Sequence, residues 1–422
     1  MLHPSYTDLM KVVNKDVEEG ESKIVNSRYS IVMATSKRAR QLIAGELPLV
    51  PAKNGDKPLS IAIEELNEGK LKIMAENAEE EESKKVGADA ENVSALFTQN
   101  ADLKIKIDTS WRLQIYMKIL FISLGCDKNL VDTEVMLGLL ASRGYEMTDD
   151  EQEADIIVIN TCCFIHDAKE ESIQNILEMA ELKKEGKVKA LIVTGCLAER
   201  YKDEILEEIP EVDEVLGTTA YDKILDAVDA ALEGNQEVIL SDIDALPLPE
   251  TKRLVTTGGH FAYLKIAEGC DKHCTYCIIP KVRGNYRSVP MERLVNEARE
   301  LAEQGVKELI LVAQETTLYG KDLYGEKSLH KLVRELCNIS GIRWIRILYC
   351  YPEEITDELI QVMKEEPKVC HYLDLPIQHA NDTILKRMGR RTTKQELVNI
   401  VEKLRSEIPD ICLRTTLITG FP

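Results

Sequence analysis

The sequence predicts an α/β protein: a small all-α N-terminal unit, a doubly wound parallel α/β domain, and then an incomplete (βα) barrel. Between 118 and 233, short apolar runs alternate with helical periods, as buried parallel strands and their crossover helices do. A second alternation begins at Phe261 and passes through five strands. Residues 1–73 instead read as helices interrupted by Pro48 and Pro51.

In the first unit, Asn26 and Ser27 can cap a helix running from Tyr29 to Ile43, with Lys37, Arg38 and Arg40 on its far side. A second helix is expected from Ser60 to Leu66. Residues 74–116 change character. The acidic block Glu79–Glu82, then Lys84 and Lys85, and the lack of periodicity to Tyr116 read as a solvated linker, or as translated intergenic sequence.

Met117 opens what looks like a second protein. Strands are expected at 118–124, 155–159 and 190–193, with helices at 131–142 and 168–183, giving an α/β domain over 117–234. Pro247, Pro249, Gly258 and Gly259 make 235–258 a linker. From 259 to 422, strands are expected at 261–266, 308–312, 344–348, 371–375 and 412–418, separated by helices near 291–304, 328–338, 356–365 and 394–407. The chain stops at Phe421-Pro422 just after the fifth strand, so the expectation is a truncated barrel.

No stretch approaches the ~18 consecutive apolar residues of a membrane span, and the N-terminus lacks a signal pattern, so a cytoplasmic protein without a membrane partner is expected. Eleven cysteines are sparse over 422 residues and none precedes Cys126, which favours reduced thiols over a disulfide scaffold. Net charge is −20, with 16 basic against 19 acidic residues over 1–116 and 37 against 54 beyond. An acidic body disfavours a broad nucleic-acid face and suits a basic partner, although ordinary solubility explains it equally well.

Two cysteine patterns carry chemistry. Cys270, Cys274 and Cys277 form C-x3-C-x2-C, three thiolates on one loop with no fourth ligand. A cubane iron–sulfur cluster held this way keeps one iron open to a small molecule. A structural zinc would need a fourth ligand, and His273, the nearest, sits inside the loop. Cys126, Cys162 and Cys196 each follow a predicted strand, 36 and 34 residues apart. In a parallel sheet all three then lie at the carboxyl edge, where open α/β folds bind ligands. A lone cysteine is usually buried filler; three equivalent positions point to a shared metal or cluster site. The side chain of Cys163 would point away from it. Cys337, Cys350, Cys370 and Cys412 lack mutual spacing and read as core or surface residues.

The run Glu268-Gly269-Cys270-x3-Cys274-Thr275-Tyr276-Cys277 after a strand resembles the radical S-adenosylmethionine (SAM) enzymes. The added three-cysteine domain resembles the methylthiotransferases in particular. The likeness rests on Ser123 to Asp132, Asn160-Thr161-Cys162, Thr194 to Arg200, Ile278-Ile279-Pro280-x2-Arg283-Gly284, Leu375 to Ala380 and Arg414 to Pro422, and spans essentially all of 117–422. The segments Gly125 to Asp132 and Leu375 to His379 favour the branch that modifies ribosomal protein S-twelve over the tRNA-modifying branch.

The resemblance implies two 4Fe–4S clusters, on Cys126/Cys162/Cys196 and on Cys270/Cys274/Cys277, with SAM as cofactor and an external electron donor. One SAM methylates sulfur at the first cluster. A second, at the other cluster, yields a 5′-deoxyadenosyl radical that abstracts hydrogen from the β-carbon of an aspartate, which then takes the methylthio group. Tyr276 would pack over the cluster or its ligand, and Gln314 and Glu315 would meet the methionyl amine. Arg346 and Arg414 would meet the carboxylate or ribose, or form strand-end salt bridges. The family continues past Pro422 with a Gly-Glu pair, a last strand and helix and a small β-barrel. Separately, Pro4-Ser5-Tyr6, Asn26 to Val32 and Ala34 to Gln41 resemble the omega subunit of bacterial RNA polymerase, implying a contact with that enzyme's largest subunit.

Overall fold

In this computed structural model, residues 117–247 and 252–422 are described throughout; of the N-terminal part, 48–50, 57–68 and a few single positions are described. The chain divides into two compact units, Met1–Ile105 and Lys106–Pro422. The expected linker over 74–116 lies outside the described residues.

In the first unit, α1 (Pro58–Asn67) begins on a proline, whose fixed φ and missing N–H suit a first turn. It contains the expected helix with two further residues at its start. Thr35, Arg38, Ala39 and Leu42 are helical, as expected. Arg38 is not on a solvent face, however: it is 7 % exposed. Its Nε and Nη2 donate to Glu65 at 2.6 and 3.2 Å, and the Leu49 N–H donates to the same carboxylate at 2.7 Å. Burial would raise the Glu65 carboxyl, but these partners hold it below the ordinary value. Charge alone marked Arg38 as exposed; its acid partner lies 27 residues away.

The second unit contains two parallel sheets. The first comprises β1 (Lys118–Ser123), β2 (Glu146–Thr148), β3 (Ile156–Thr161), β4 (Ala190–Gly195), β5 (Glu214–Leu216) and β6 (Glu237–Ile239), in the order β2-β1-β3-β4-β5-β6. Helices α2 (Asp127–Ser142), α3 (His166–Lys184), α4 (Cys196–Glu208) and α5 (Ile224–Leu232) make the crossovers. Residues 156–161 and 190–195 are buried at every position because helices cover both faces, so these strands read as unbroken apolar runs. The three-residue strands β2, β5 and β6 were not expected; β6 lies inside the supposed linker, where Glu-Val-Ile is too short to stand out. That segment is also anchored, since Leu254 N–H reaches Glu134 O at 3.0 Å and Arg253 pairs with the Glu134 carboxylate at 3.1 Å.

On β5, Glu214 is fully buried and both its carboxylate oxygens lack a hydrogen-bond partner among the described residues. Burial, then Glu237 and Asp213, push its carboxyl up to about 7. A raised carboxyl favours folding while protonated, below its ordinary unfolded value, and loses that advantage as pH rises toward 7. Glu214→Gln is therefore expected to raise the unfolding free energy measured in urea at pH 8 by roughly 1 kcal/mol or more, with the gain vanishing below pH ~4. A gain independent of pH would refute this assignment.

The second sheet contains β7 (Phe261–Lys265), β10 (Glu308–Val312), β11 (Trp344–Ile347), β12 (Val369–Asp374) and β13 (Cys412–Arg414), in the order β13-β12-β11-β10-β7. All pairs are parallel. A small antiparallel pair, β8 (Ala267–Glu268) with β9 (Arg287–Ser288), flanks the first strand. Helix α6 (Ile279–Arg283) follows the cysteine loop, and α7 (Met291–Glu303), α8 (Leu329–Cys337), α9 (Asp357–Glu365) and α10 (Lys394–Glu407) back the sheet near their expected positions. The start of α10 is set by a capping box: Thr393 and Glu396 bond each other's backbone N–H.

Candidate functional site

The strand order β2-β1-β3 reverses direction between β1 and β3, and an open parallel sheet has its ligand crevice at such a reversal. Cys126 caps α2 beyond β1, Cys162 follows β3, and Cys196 begins α4 directly after β4. All three are free thiols at one sheet edge, and Cys162 and Cys196 are buried. They lie close enough for Cys126 and Cys162 each to raise the Cys196 thiol electrostatically. Burial is the larger cause and pushes Cys196 up to about 12, against the pull of Arg283.

Two glycines shape this crevice. Gly125 has φ +92, and a Cβ there would stand 2.6 Å from the Cys162 Cβ. Gly195 has φ +91, and a Cβ would overlap the Asn160 side chain and the Thr161 backbone. A side chain at either position would strain the backbone; at Gly125 it would also displace Cys162, and at Gly195 it would push on Asn160 and the backbone just before Cys162. Cys163 turns away as expected: it packs in the core under α3 and α4, and its Sγ donates to the Cys196 carbonyl at 3.2 Å.

The other triplet occupies the loop between β8 and α6. Cys270 and Cys274 are each 6 % exposed, Cys277 is half-buried, and none is in a disulfide. Burial pushes Cys270 up to about 12. His273, at φ +51, curls the loop between the first two cysteines. Tyr351 brings its hydroxyl to 3.8 Å from Cys274 Sγ, and the Arg390 guanidinium stacks 4.2 Å from the Tyr351 ring. Tyr349 and Gln378 are the other non-glycine residues with positive φ among the described residues; both follow strands of the barrel sheet at the same edge. Such backbone costs about 1–3 kcal/mol each and persists only where the surroundings enforce it.

Between the triplets lies a buried polar network that the sequence reading did not identify. Lys265 at the end of β7 pairs with Asp132 of α2 and, at 2.8 Å, with Glu268 of β8. Arg283 pairs with the same two carboxylates at 2.7 and 3.2 Å. It also donates to Asn129 Oδ1 at 2.5 Å and to Cys196 Sγ at 3.4 Å. Burial would raise Glu268, but Lys265 and Arg283 outweigh it and hold the carboxyl at about 2. The one sequence cue was a lysine inside an apolar strand, which is rarely buried unless paired. Beside it, Lys128 pairs with Asp127 at 2.8 Å and lies 3.4 Å from the centre of the Tyr349 ring, whose hydroxyl donates to Asp127 at 3.1 Å.

Of the residues expected at the cofactor, Tyr276, Gln314, Glu315 and Arg414 lie in or after the strand ends at this edge, whereas Arg346 reaches Glu308 at the amino end of β10. Tyr276 packs edge-on against Phe421, ring centres 6.3 Å apart. Gln314 donates to Glu268 at 2.5 Å, and its buried Oε1 has no hydrogen-bond partner among the described residues. Glu315 is fully buried; Thr317 donates to it at 2.5 Å, Lys272 stands 3.6 Å away, and burial pushes its carboxyl up to about 7. Arg346 donates to Glu308 at 2.6 Å and stacks on Tyr372, which is the strand-end salt bridge of the two readings. Arg414 is 61 % exposed, 3.8 Å from Asp374.

A cavity of about 470 Å³ between α2 and α7 is lined by Val131, Tyr221, Arg253, Lys265 and Glu297 but by none of these cysteines. Among the described residues no three His, Cys, Asp or Glu side chains gather as a site for one metal ion. Each triplet nevertheless has the donor set of a cubane: free thiols, little solvent, and cations or hydroxyls facing the sulfur. Among the described residues no helix is long and apolar enough to cross a membrane.

Comparison with known proteins agrees with this organisation. Residues 118–217 match the uncharacterized protein family UPF0004, 264–422 the radical SAM superfamily, and 22–73 RNA polymerase Rpb6. The solved structure of the cobalamin-dependent SAM radical enzyme OxsB shares the fold, with a TM-score of 0.51 at 13 % identity over 72 % of this chain and 50 % of that one. Three relatives are each called ribosomal protein uS12 methylthiotransferase RimO. That of Lachnoclostridium phytofermentans is 70 % identical over 306 residues, covering 72 % of this chain and 70 % of its own. Those of Clostridium perfringens and Clostridioides difficile are 55 % and 53 % identical, covering 72 % of this chain and 68 % and 69 % of theirs. With cysteines placed at two sheet edges, a radical SAM fold and relatives this similar, the chain belongs to the RimO family of radical SAM methylthiotransferases.

Proposed function

We propose that the chain methylthiolates the β-carbon of an aspartate in ribosomal protein uS12, holding one 4Fe–4S cluster on Cys126, Cys162 and Cys196 and another on Cys270, Cys274 and Cys277. The observation that carries this reading is the convergence of two separate cysteine triplets on one buried network, through Arg283 on one side and Glu268 on the other. When bound, the clusters and SAM supply sulfur carriage and one-electron chemistry, which an unactivated C–H bond demands and acid–base side chains do not offer.

The chain's own residues supply position, charge and dryness. Burial of Cys270 and Cys274 keeps water from the reacting centre. Gln314 and Glu315 present acceptor oxygens beside the Cys270 loop, suited to the methionyl amine of SAM. Arg414, largely exposed beside Asp374, is placed where a carboxylate can reach it, whereas Arg346 is committed to Glu308. Tyr276 closes the loop against Phe421, where an adenine or the cluster can pack. The domain division at 117–234 and 259–422 then separates sulfur storage from radical generation.

An external electron donor is required, and a reducing cytoplasm is the fitting location. Mass spectrometry of ribosomes and tRNA from cells with and without the gene tests the substrate. Loss of methylthiolation from uS12 alone is expected; loss from tRNA alone would overturn the choice. The Rpb6 match supports a second, binding role for the N-terminal unit on the largest subunit of RNA polymerase. Co-purification of the intact chain with the polymerase is the expected result, and a cellular product beginning at Met117 would remove that role.

A further inference from the structure

Arg283 ends α6, six residues after Cys277, and is 2 % exposed. Its Nε donates to Cys196 Sγ, a ligand of the other triplet 87 residues away in sequence, at 3.4 Å. The rest of the guanidinium is committed to Asn129, Asp132 and Glu268. A planar fork with five N–H groups can satisfy four acceptors in fixed directions; a lysine ammonium has three donors and no such plane.

We propose that Arg283 is a positioning residue for the Cys126/Cys162/Cys196 site. It donates a charge-assisted N–H···S bond to the Cys196 thiolate, raises the reduction potential of the cluster held there, and fixes that sulfur relative to Glu268, two residues from Cys270. The inference rests on reading those three cysteines as a cluster site. Hydrogen bonds to a ligand sulfur and a nearby positive charge both stabilise the reduced, more negative state of a cluster. A purely structural arginine would serve only to neutralise Asp132 and Glu268, without setting the potential.

The test uses the full chain carrying Cys270→Ala, Cys274→Ala and Cys277→Ala, so that one cluster remains to be observed. This parent, its Arg283→Lys form and its Arg283→Gln form are reconstituted anaerobically with iron and sulfide. Iron content and the midpoint potential, followed by EPR-monitored redox titration, are then measured. The parent is expected to hold about four irons. Its potential is expected to fall in Arg283→Gln and to fall by less in Arg283→Lys, which keeps the charge but loses the fork. Potentials unchanged in both would overturn the proposal. Should Arg283→Gln fail to load, Arg283→Lys decides: a lowered potential supports the role and an unshifted one refutes it. A parent that takes up no iron would overturn the cluster reading and this role together, a result distinct from an unshifted potential on a loaded site.

Discussion

Replacing Cys126, Cys162 and Cys196 together by alanine is expected to lower the iron of the anaerobically reconstituted protein from about eight to about four per chain. The same variant should lose methylthio transfer entirely while still cleaving SAM to 5′-deoxyadenosine. The fold should survive, because the strands behind these cysteines carry their own core: Ile156 to Ile159 and Ala190 to Val193 are all fully buried. Only Sγ atoms at the sheet edge are removed, which costs on the order of 1 kcal/mol each. Unchanged iron content would show that this crevice holds no cluster. Loss of SAM cleavage along with transfer would show that the two triplets do not act separately.

The second large effect concerns the network between the sites. Asp132 is 3 % exposed and accepts from both Lys265 and Arg283. Asp132→Ala leaves two buried cations facing Glu268 alone, and removing one partner of a buried ion set typically costs about 3–5 kcal/mol. Urea unfolding should report a loss of this size. Asp132→Ala combined with Lys265→Met should recover a substantial part of it, since the surplus cation is then gone. Purely additive losses would mean that the two residues do not share a charge balance. Reconstituted iron should also fall in Asp132→Ala, because Arg283 loses a partner that holds it against Cys196.

The strands that position the site were legible wherever a sheet is covered on both faces, because burial writes a continuous apolar run into sequence. Ile156 to Ile159 and Ala190 to Val193 are such cases. Strands of three residues, such as Glu214–Leu216, leave no comparable trace. The placement of Cys126, Cys162 and Cys196 at one sheet edge was legible because the βα repeat supplies their spacing. The Arg283 network was not legible, because its hydrogen bonds join residues up to 154 positions apart and, Lys265 within its apolar strand aside, its members read singly as ordinary surface residues. Arg38 misled for the same reason: its pairing with Glu65 is a fact of tertiary structure.

The most direct test of the central claim is tandem mass spectrometry of ribosomal protein uS12 after incubation with the reconstituted chain, SAM, sulfide and a reductant. The predicted result is one methylthio group on an aspartate side chain, formed together with 5′-deoxyadenosine and absent from both cysteine-triplet variants. Formation of 5′-deoxyadenosine with uS12 unmodified, while tRNA under the same conditions gains the methylthio group, would contradict it.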